Sequence, residues 1–380
     1  MKRNLLLTPG PTQVPPDICQ ALGKPIIHHR TPRFQQYLKD AVEGLKFVFQ
    51  TTQDVYVLAS SGTGAMDASV SNFFSPKDKV ITVEGGKFGE RWTQIARAYG
   101  LDPVVVQVPW GQAVRPAQIE EILKKEPSIK GVFVTLCETS TGVVTDIEAL
   151  GKILKSTEAL LIVDAVSGLG AMDLQVDNWA VDVVAAASHK GLMLPPGLGF
   201  VSVSAKAAKR MEASQCPKFY LDLKSYRKVY PKPDTPFTPA IGLVVALTES
   251  LRFFREQGLE NIFAHYARLA AATRAGAKAM GLSLLADAAC ISNAVTAINV
   301  PDGIDGAKLV KLMRDDYGIS MAGGQGHLKG KIVRMAHMGC LDEYDMLTGI
   351  ACLEKGLHEM GYKFELGAGL AATQDVFNTH

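Results

Sequence analysis

The stretch from Leu160 to Phe200, LLIVDAVSGLGAMDLQVDNWAVDVVAAASHKGLMLPPGLGF, constrains the fold of this chain more than any other. Two short runs rich in valine, LLIVDAV and VDVVAAAS, are bounded by glycine and polar turns, the pattern of strands buried on both faces of a parallel sheet. Each run leads into an ionisable residue. Asp164 stands at the carboxyl end of the first and Lys190 just past the second, at the edge where open α/β sheets take their ligands. Pro195, Pro196 and Gly197 follow soon after and oppose a helix, so Lys190 is expected on a stiff loop before the next strand, GFVSVS.

A lysine is ordinarily a solvated surface charge, because lysines are almost never buried unpaired. Held in a partly dry pocket, a primary amine has its pKa depressed and condenses with an aldehyde. Pyridoxal phosphate needs such an amine, and it also needs a carboxylate beside its pyridinium nitrogen to remain an electron sink. Asp164 followed by Lys190 offers both, the lysine as Schiff-base amine and the aspartate as nitrogen partner.

At 380 residues the chain exceeds the size at which one core keeps growing, so a large and a small domain are expected. The boundaries read as an arm over 1–20, a large domain over 21–255 and a small domain over 256–380. Charge is nearly balanced, 40 basic against 38 acidic residues, with no polybasic block, which argues against nucleic acid or an anionic membrane as partner. No apolar run approaches the roughly 18 residues of a membrane span, and MKRNLLLTPGPT does not read as a secretory signal. Cysteines 19, 137, 216, 290, 340 and 352 form no C-x-x-C pair. They are expected to be reduced thiols of a cytoplasmic protein, with neither a metal site nor a disulfide frame.

Taken in order, TPGPTQVPP is too rich in proline for helix or central strand and reads as an extended arm laid over another surface. The strand DVYVLAS runs into Ser61-Gly62-Thr63-Gly64, where glycine lets the backbone approach an anion and a following helix turns its free N–H groups toward it. An ordinary capped helix start explains the same residues. Phe88 opens a helix in GGKFGERW, where its ring either stacks on a ligand or fills core. Glu138-Thr139-Ser140-Thr141-Gly142 puts hydroxyls at another strand end, with capping of a helix at Asp146 as the alternative. Alternating strands and helices imply parallel crossovers. The segment 205–239 reads as irregular, and a long helical stretch from Ile241 is interrupted at Gly258. Arg334 stands within the apolar strand KIVRMAHMG and needs an anionic partner, either a structural carboxylate or a ligand carboxylate bound by its guanidinium fork.

The motifs LLLTPGPTQVPP, SSGTGAM, GGKFGERW, CETSTGV, VDAVSGLG, SHKGLMLPPG, TPFTPA and KIVRMAHMG together resemble the class V, fold type I pyridoxal-phosphate enzymes, in their serine-pyruvate and alanine-glyoxylate aminotransferase branch. The resemblance implies an α/β fold with a large domain, built on a mainly parallel seven-stranded sheet covered by helices, and a small α+β carboxyl-terminal domain. It implies pyridoxal 5'-phosphate on Lys190, Asp164 on the ring nitrogen, and a phosphate cup of Ser61, Gly62 and Thr63. Phe88 and Val166 would flank the ring, with Thr139 and His189 also at the cofactor. Pro9, Gly10 and Pro11 would line the entrance, with Gly10, Thr139 and Arg334 contacting substrate. Thr238, and less closely Thr235, match a loop that reaches the partner's cofactor phosphate in a homodimer. The implied reaction is ping-pong transfer from alanine or serine to glyoxylate or pyruvate.

Two alternatives stand beside it. His189 before the lysine is shared with cysteine desulfurases, although MAGGQGHLKGK carries no cysteine. A non-catalytic subunit is the other, since some relatives carry the label of soluble hydrogenase subunits and fold does not fix function.

Overall fold

The computed structural model describes residues 4–379. The first three residues of the expected arm and the last residue of the expected small domain lie outside them. A seven-stranded sheet runs Asp54–Ser60, Gly197–Val203, Val183–Ala187, Leu160–Asp164, Gly131–Thr135, Lys79–Glu84 and Asp102–Gln107 from edge to edge. The valine-rich runs are its central strands. Along one of them Leu161 and Val163 enter one apolar cluster while Leu160 and Ile162 enter another, so the strand is dry on both faces.

Neighbours pair in parallel except at Gly197–Val203, which is antiparallel to both of its neighbours. The loop that carries Lys190 explains the reversal. Ser188 N donates to Leu198 O at 3.0 Å, and Ser188 Oγ takes Leu198 N at 3.2 Å while donating to Pro195 O at 2.7 Å, so the chain turns straight back. Gly197 makes that return at φ +143°, a conformation in which a side chain would be strained.

The carboxyl-terminal part has its own antiparallel sheet, in which Ile332–Ala336 lies between Val295–Asn299 and Ala322–Gly323. The chain enters over it. Leu5–Leu6 pairs in parallel with Ile319 and Ser320, and Leu7 O accepts Ala336 N at 2.8 Å. Gly258 breaks the long helical stretch into Ile241–Gln257 and Leu259–Ala279, at φ +77°.

The segment 205–239 corrects the sequence reading. It holds two helices, Ala205–Ala213 and Leu223–Val229, capped by the side chains of Ser204 and Asp222. A good helix-forming run behind a serine cap outweighs the lysine-, tyrosine- and proline-rich composition of the whole segment. A last helix, Ala368–Asn378, also goes unread in the sequence. Its amino-terminal N–H groups are taken by a remote carboxylate, with Glu354 Oε1 accepting Gly369 N at 2.7 Å and Leu370 N at 3.2 Å.

Candidate active site

Strand ends converge on one edge of the large sheet. Asp164 closes its strand, Val183–Ala187 leads to Lys190, Asp54–Ser60 to Ser61, Lys79–Glu84 to Phe88 and Gly131–Thr135 to Thr139. Parallel crossovers put these ends together, which is why residues scattered from 61 to 190 share a cleft.

Lys190 is buried, and its Nζ donates to Pro9 O at 2.5 Å while lying 5.8 Å from the centre of the Phe88 ring. Gly10 passes so close over the lysine side chain that any Cβ there would collide with it. Thr12 ties the arm down, donating its hydroxyl to Lys190 O at 2.9 Å and its N–H to His189 O at 3.3 Å. Burial lowers the amine's pKa to about 8, with Asp164 opposing and the charges of Arg334 and Arg91 adding to the fall. Near neutral pH about a tenth of an amine in that range is unprotonated and nucleophilic, against well under a thousandth for an ordinary lysine.

Asp164 accepts Val166 N on Oδ1 at 2.8 Å, and its other oxygen receives no hydrogen bond from the described residues. Burial raises this carboxyl to about 7, against the Val166 N–H and reinforced by Glu138. A buried carboxylate in that condition lacks a cation. Beside it the helix Gly62–Ser71 begins hard against Val166, since a Cβ at Gly62 would meet Val166 Cγ2 at 2.8 Å and Ala187 Cβ at 3.2 Å. Ser61 caps that helix without a side-chain bond, which leaves its N–H groups free. His189 Nδ1 is buried with no partner among the described residues, and burial pulls its ring down to about 4, so it is neutral.

Arg334 is buried in its strand without a carboxylate in ion-pair reach among the described residues. Nε and Nη2 both donate to Gly323 O, at 3.0 and 2.8 Å, and Nη1 donates to Thr139 O at 2.7 Å. Burial lowers its pKa to about 10, with Glu138 opposing. The guanidinium retains N–H donors beyond these, so the structural salt bridge weighed from sequence is not what holds it. Thr139 is buried with its hydroxyl 3.4 Å from Ser167 Oγ.

Thr235 and Thr238 are not hydrogen-bonded to this group within the chain. Thr235 donates its hydroxyl to Phe237 O at 2.7 Å, its carbonyl accepts Arg30 Nη1 at 3.1 Å, and Thr238 is exposed. Three residues at the site escaped sequence reading. Thr12 is one. Arg91 lies with its guanidinium 4.9 Å over the Phe88 ring and donates to Thr63 Oγ1 at 3.2 Å, and Glu138 binds the backbone of Phe88. For Arg91 the i, i+3 spacing from Phe88 was the available signal.

These groups fit an aldehyde-bearing pyridine phosphate. The amine meets an aldehyde, the unsatisfied oxygen of Asp164 meets a ring nitrogen, Phe88 and Val166 offer apolar faces, and the uncapped helix start with His189 Nδ1 meets an anion. Among the described residues no three His, Cys, Asp or Glu gather as a metal-binding group, and no helix is long and apolar enough to cross a membrane.

Comparison with known proteins agrees. Residues 5–340 match the family model described as Aminotransferase class-V. A Synechococcus protein named soluble hydrogenase, small subunit, is 45% identical over 99% of this chain and 98% of its own length. The L-aspartate–glyoxylate aminotransferase of Paracoccus denitrificans is 38% identical, over 99% of this chain and 96% of that protein. The crystal structure of ureidoglycine-glyoxylate aminotransferase from Bacillus subtilis superposes with a TM-score of 0.95 at 30% identity, covering 100% of this chain and 99% of that one. The chain thus belongs to the class V aminotransferases and is a fold type I aminotransferase dependent on pyridoxal 5'-phosphate.

Proposed function

We propose that the chain moves an amino group from a small amino acid, alanine or serine, to a 2-oxo acid, glyoxylate or pyruvate, in a ping-pong reaction. The observation that carries this reading is a buried, partly neutral amine at Lys190 in the same cleft as an Arg334 that has donors to spare and no carboxylate. When bound, pyridoxal 5'-phosphate supplies an aldehyde that condenses with amines and a ring that accepts electron density.

The chain's own residues do the rest. Lys190 would anchor the cofactor through its amine and, once released to the donor, would act as general base toward the proton on the donor's α-carbon. Asp164, through its free oxygen, would keep a proton on the ring nitrogen. Phe88 and Val166 flank the ring, and the N–H groups of Ser61, Gly62 and Thr63, with His189, bind the phosphate. Thr139 would lie beside the ring and the donor. Arg334 takes the donor's α-carboxylate on two N–H groups and so fixes which α-bond faces Lys190. Pro9, Gly10 and Pro11 roof the lysine and exclude water.

Neither a desulfurase nor a non-catalytic subunit is favoured. The loop 321–331 has no cysteine to carry sulfur, and a scaffold has no use for a buried lysine whose pKa falls to about 8. The six free cysteines support a reducing, cytoplasmic setting.

The test is a panel of alanine, serine, aspartate and glycine against glyoxylate and pyruvate with the cofactor-loaded protein. Oxo acid should form from the donor before any acceptor is added, as a ping-pong scheme requires. Failure of every donor to yield its oxo acid would remove the reading.

We further propose a homodimer in which each subunit's 234–239 loop serves the partner's phosphate. Supporting it, Phe219 is 80% exposed and packs on Phe237, against which Tyr220 also stacks, in an aromatic patch beside the exposed Thr238. Thr238→Ala should then weaken cofactor retention by about 1 to 2 kcal/mol, one hydrogen bond to a charged group. Mixed dimers of Lys190→Ala with Thr238→Ala chains should regain about one intact site per dimer, because an isologous pair puts both lesions at one site. No regain in the mixed dimer would mean that each chain builds its site alone.

A further inference from the structure

Glu138 is a buried carboxylate, 5% exposed, that nothing in the chemistry above employs. Its hydrogen bonds all run to the frame of the site. Oε2 accepts Phe88 N at 2.9 Å and Gly89 N at 3.0 Å, in the first turn of the helix Lys87–Ala98. Oε1 accepts Ser140 N at 3.1 Å and Ser140 Oγ at 2.5 Å, and that hydroxyl oxygen in turn accepts Lys87 N at 3.0 Å. The helix's own cap position is Gly86, which has no side chain, and a Cβ there would run into Glu138 and Ser140. A carboxylate from 50 residues away therefore does the work of an N-cap.

The turn that begins at Glu138 also reaches the opposite wall. The carbonyl of its neighbour Thr139 takes Arg334 Nη1 at 2.7 Å, and Glu138 O takes Gly142 N at 2.8 Å and Thr141 N at 3.1 Å, which closes the turn. One rigid turn thus holds the aromatic ring through Phe88's backbone and the guanidinium through a carbonyl. Burying a carboxylate is costly, and a neutral amide could not accept from all of these donors at once, since its NH₂ end would face the Ser140 N–H.

We propose that Glu138 is a positioning residue that sets Phe88 and Arg334 at a fixed separation across the cofactor cleft. The proposal rests on the functional reading given above for Phe88 and Arg334. Glu138 touches neither substrate nor cofactor and acts through the two residues it places.

The experiment compares Glu138→Gln, Phe88→Ala and the double variant. It reads the dissociation constant of pyridoxal 5'-phosphate for the apo protein by fluorescence titration, and KM and kcat for alanine in the loaded protein. Glu138→Gln should raise both the dissociation constant and KM by about tenfold, the effect of one unsatisfied buried donor, with a smaller change in kcat. In the double variant the cofactor should bind no more weakly than with Phe88→Ala alone, because the two changes share one path. Additive losses, or an unchanged dissociation constant and KM in a folded Glu138→Gln protein, would overturn the proposal. Should Glu138→Gln fail to fold, Ser140→Ala keeps the carboxylate and removes its link to Lys87 N. It should raise the same two constants about threefold, and no rise would count against the proposal. Wild-type protein that binds no cofactor would instead overturn the functional reading beneath it.

Discussion

Lys190→Ala should abolish amino transfer, with kcat falling by at least about four orders of magnitude, since the change removes both the covalent anchor and the general base. The direct readout is mass. Borohydride treatment of the loaded wild-type protein should leave the cofactor on the peptide containing Lys190, and the variant should carry none. The geometry adds a pH signature. Only the unprotonated amine attacks an aldehyde, and burial lowers its pKa to about 8, so the rate of cofactor capture by apo protein should rise with pH and level off above about 8. A capture rate still climbing at pH values near the usual lysine range, about 10.4, would mean that Lys190 is not the attacking group.

Asp164→Asn should bind the cofactor yet lose roughly three orders of magnitude in the rate of α-proton removal, because an amide cannot hold a proton on the ring nitrogen against the pull of the reaction. A near-normal rate in this variant would take Asp164 out of the mechanism. The same substitution should stabilise the empty protein. Burial raises the carboxyl from 3.8 to about 7, so in the unfolded chain it ionises at low pH and in the folded, cofactor-free chain only near neutrality. Wild-type stability from this group is therefore full below about pH 4 and lost as pH rises to about 7. Asparagine has nothing to lose. Apo Asp164→Asn should match wild type in urea near pH 4 and exceed it at pH 8 by up to about 4 kcal/mol, from about three pKa units at 1.36 kcal/mol each. Loaded protein should not show the gain, since the ring nitrogen supplies the cation that the carboxylate lacks.

Much of this was legible because the central strands are short, β-branched and dry on both faces, which leaves a pattern that few other structures share. Asp164 and Lys190 announced themselves as charges at the ends of such runs. The helix Ala205–Ala213 was legible in principle, through Ser204 and the run behind it, but was hidden by averaging over a long segment. Other features leave no local trace. Glu354 caps a helix 15 residues on, Glu138 caps one 50 residues back, and Thr12 bonds to Lys190 across 178 residues. Each depends on chain folding that spacing does not encode. Arg334 lies between, since its strand was read correctly while its partners, two backbone carbonyls, have no side-chain signature.

The arm over Lys190 bears on the order in which the protein matures during synthesis. Leu5 to Thr12 leave the ribosome before any of their partners, which are His189 and Lys190, then Ile319 and Ser320, and finally Ala336. An extended, proline-rich stretch with no internal ladder has nothing to fold onto until those residues follow. The large sheet can assemble first, with Lys190 reachable from solvent and free to capture an aldehyde as large as the cofactor. The roof of Pro9 and Gly10 then closes behind it, once the last strand has emerged. A nascent chain stalled before residue 319 should accordingly exchange its cofactor freely, while the finished chain should retain it.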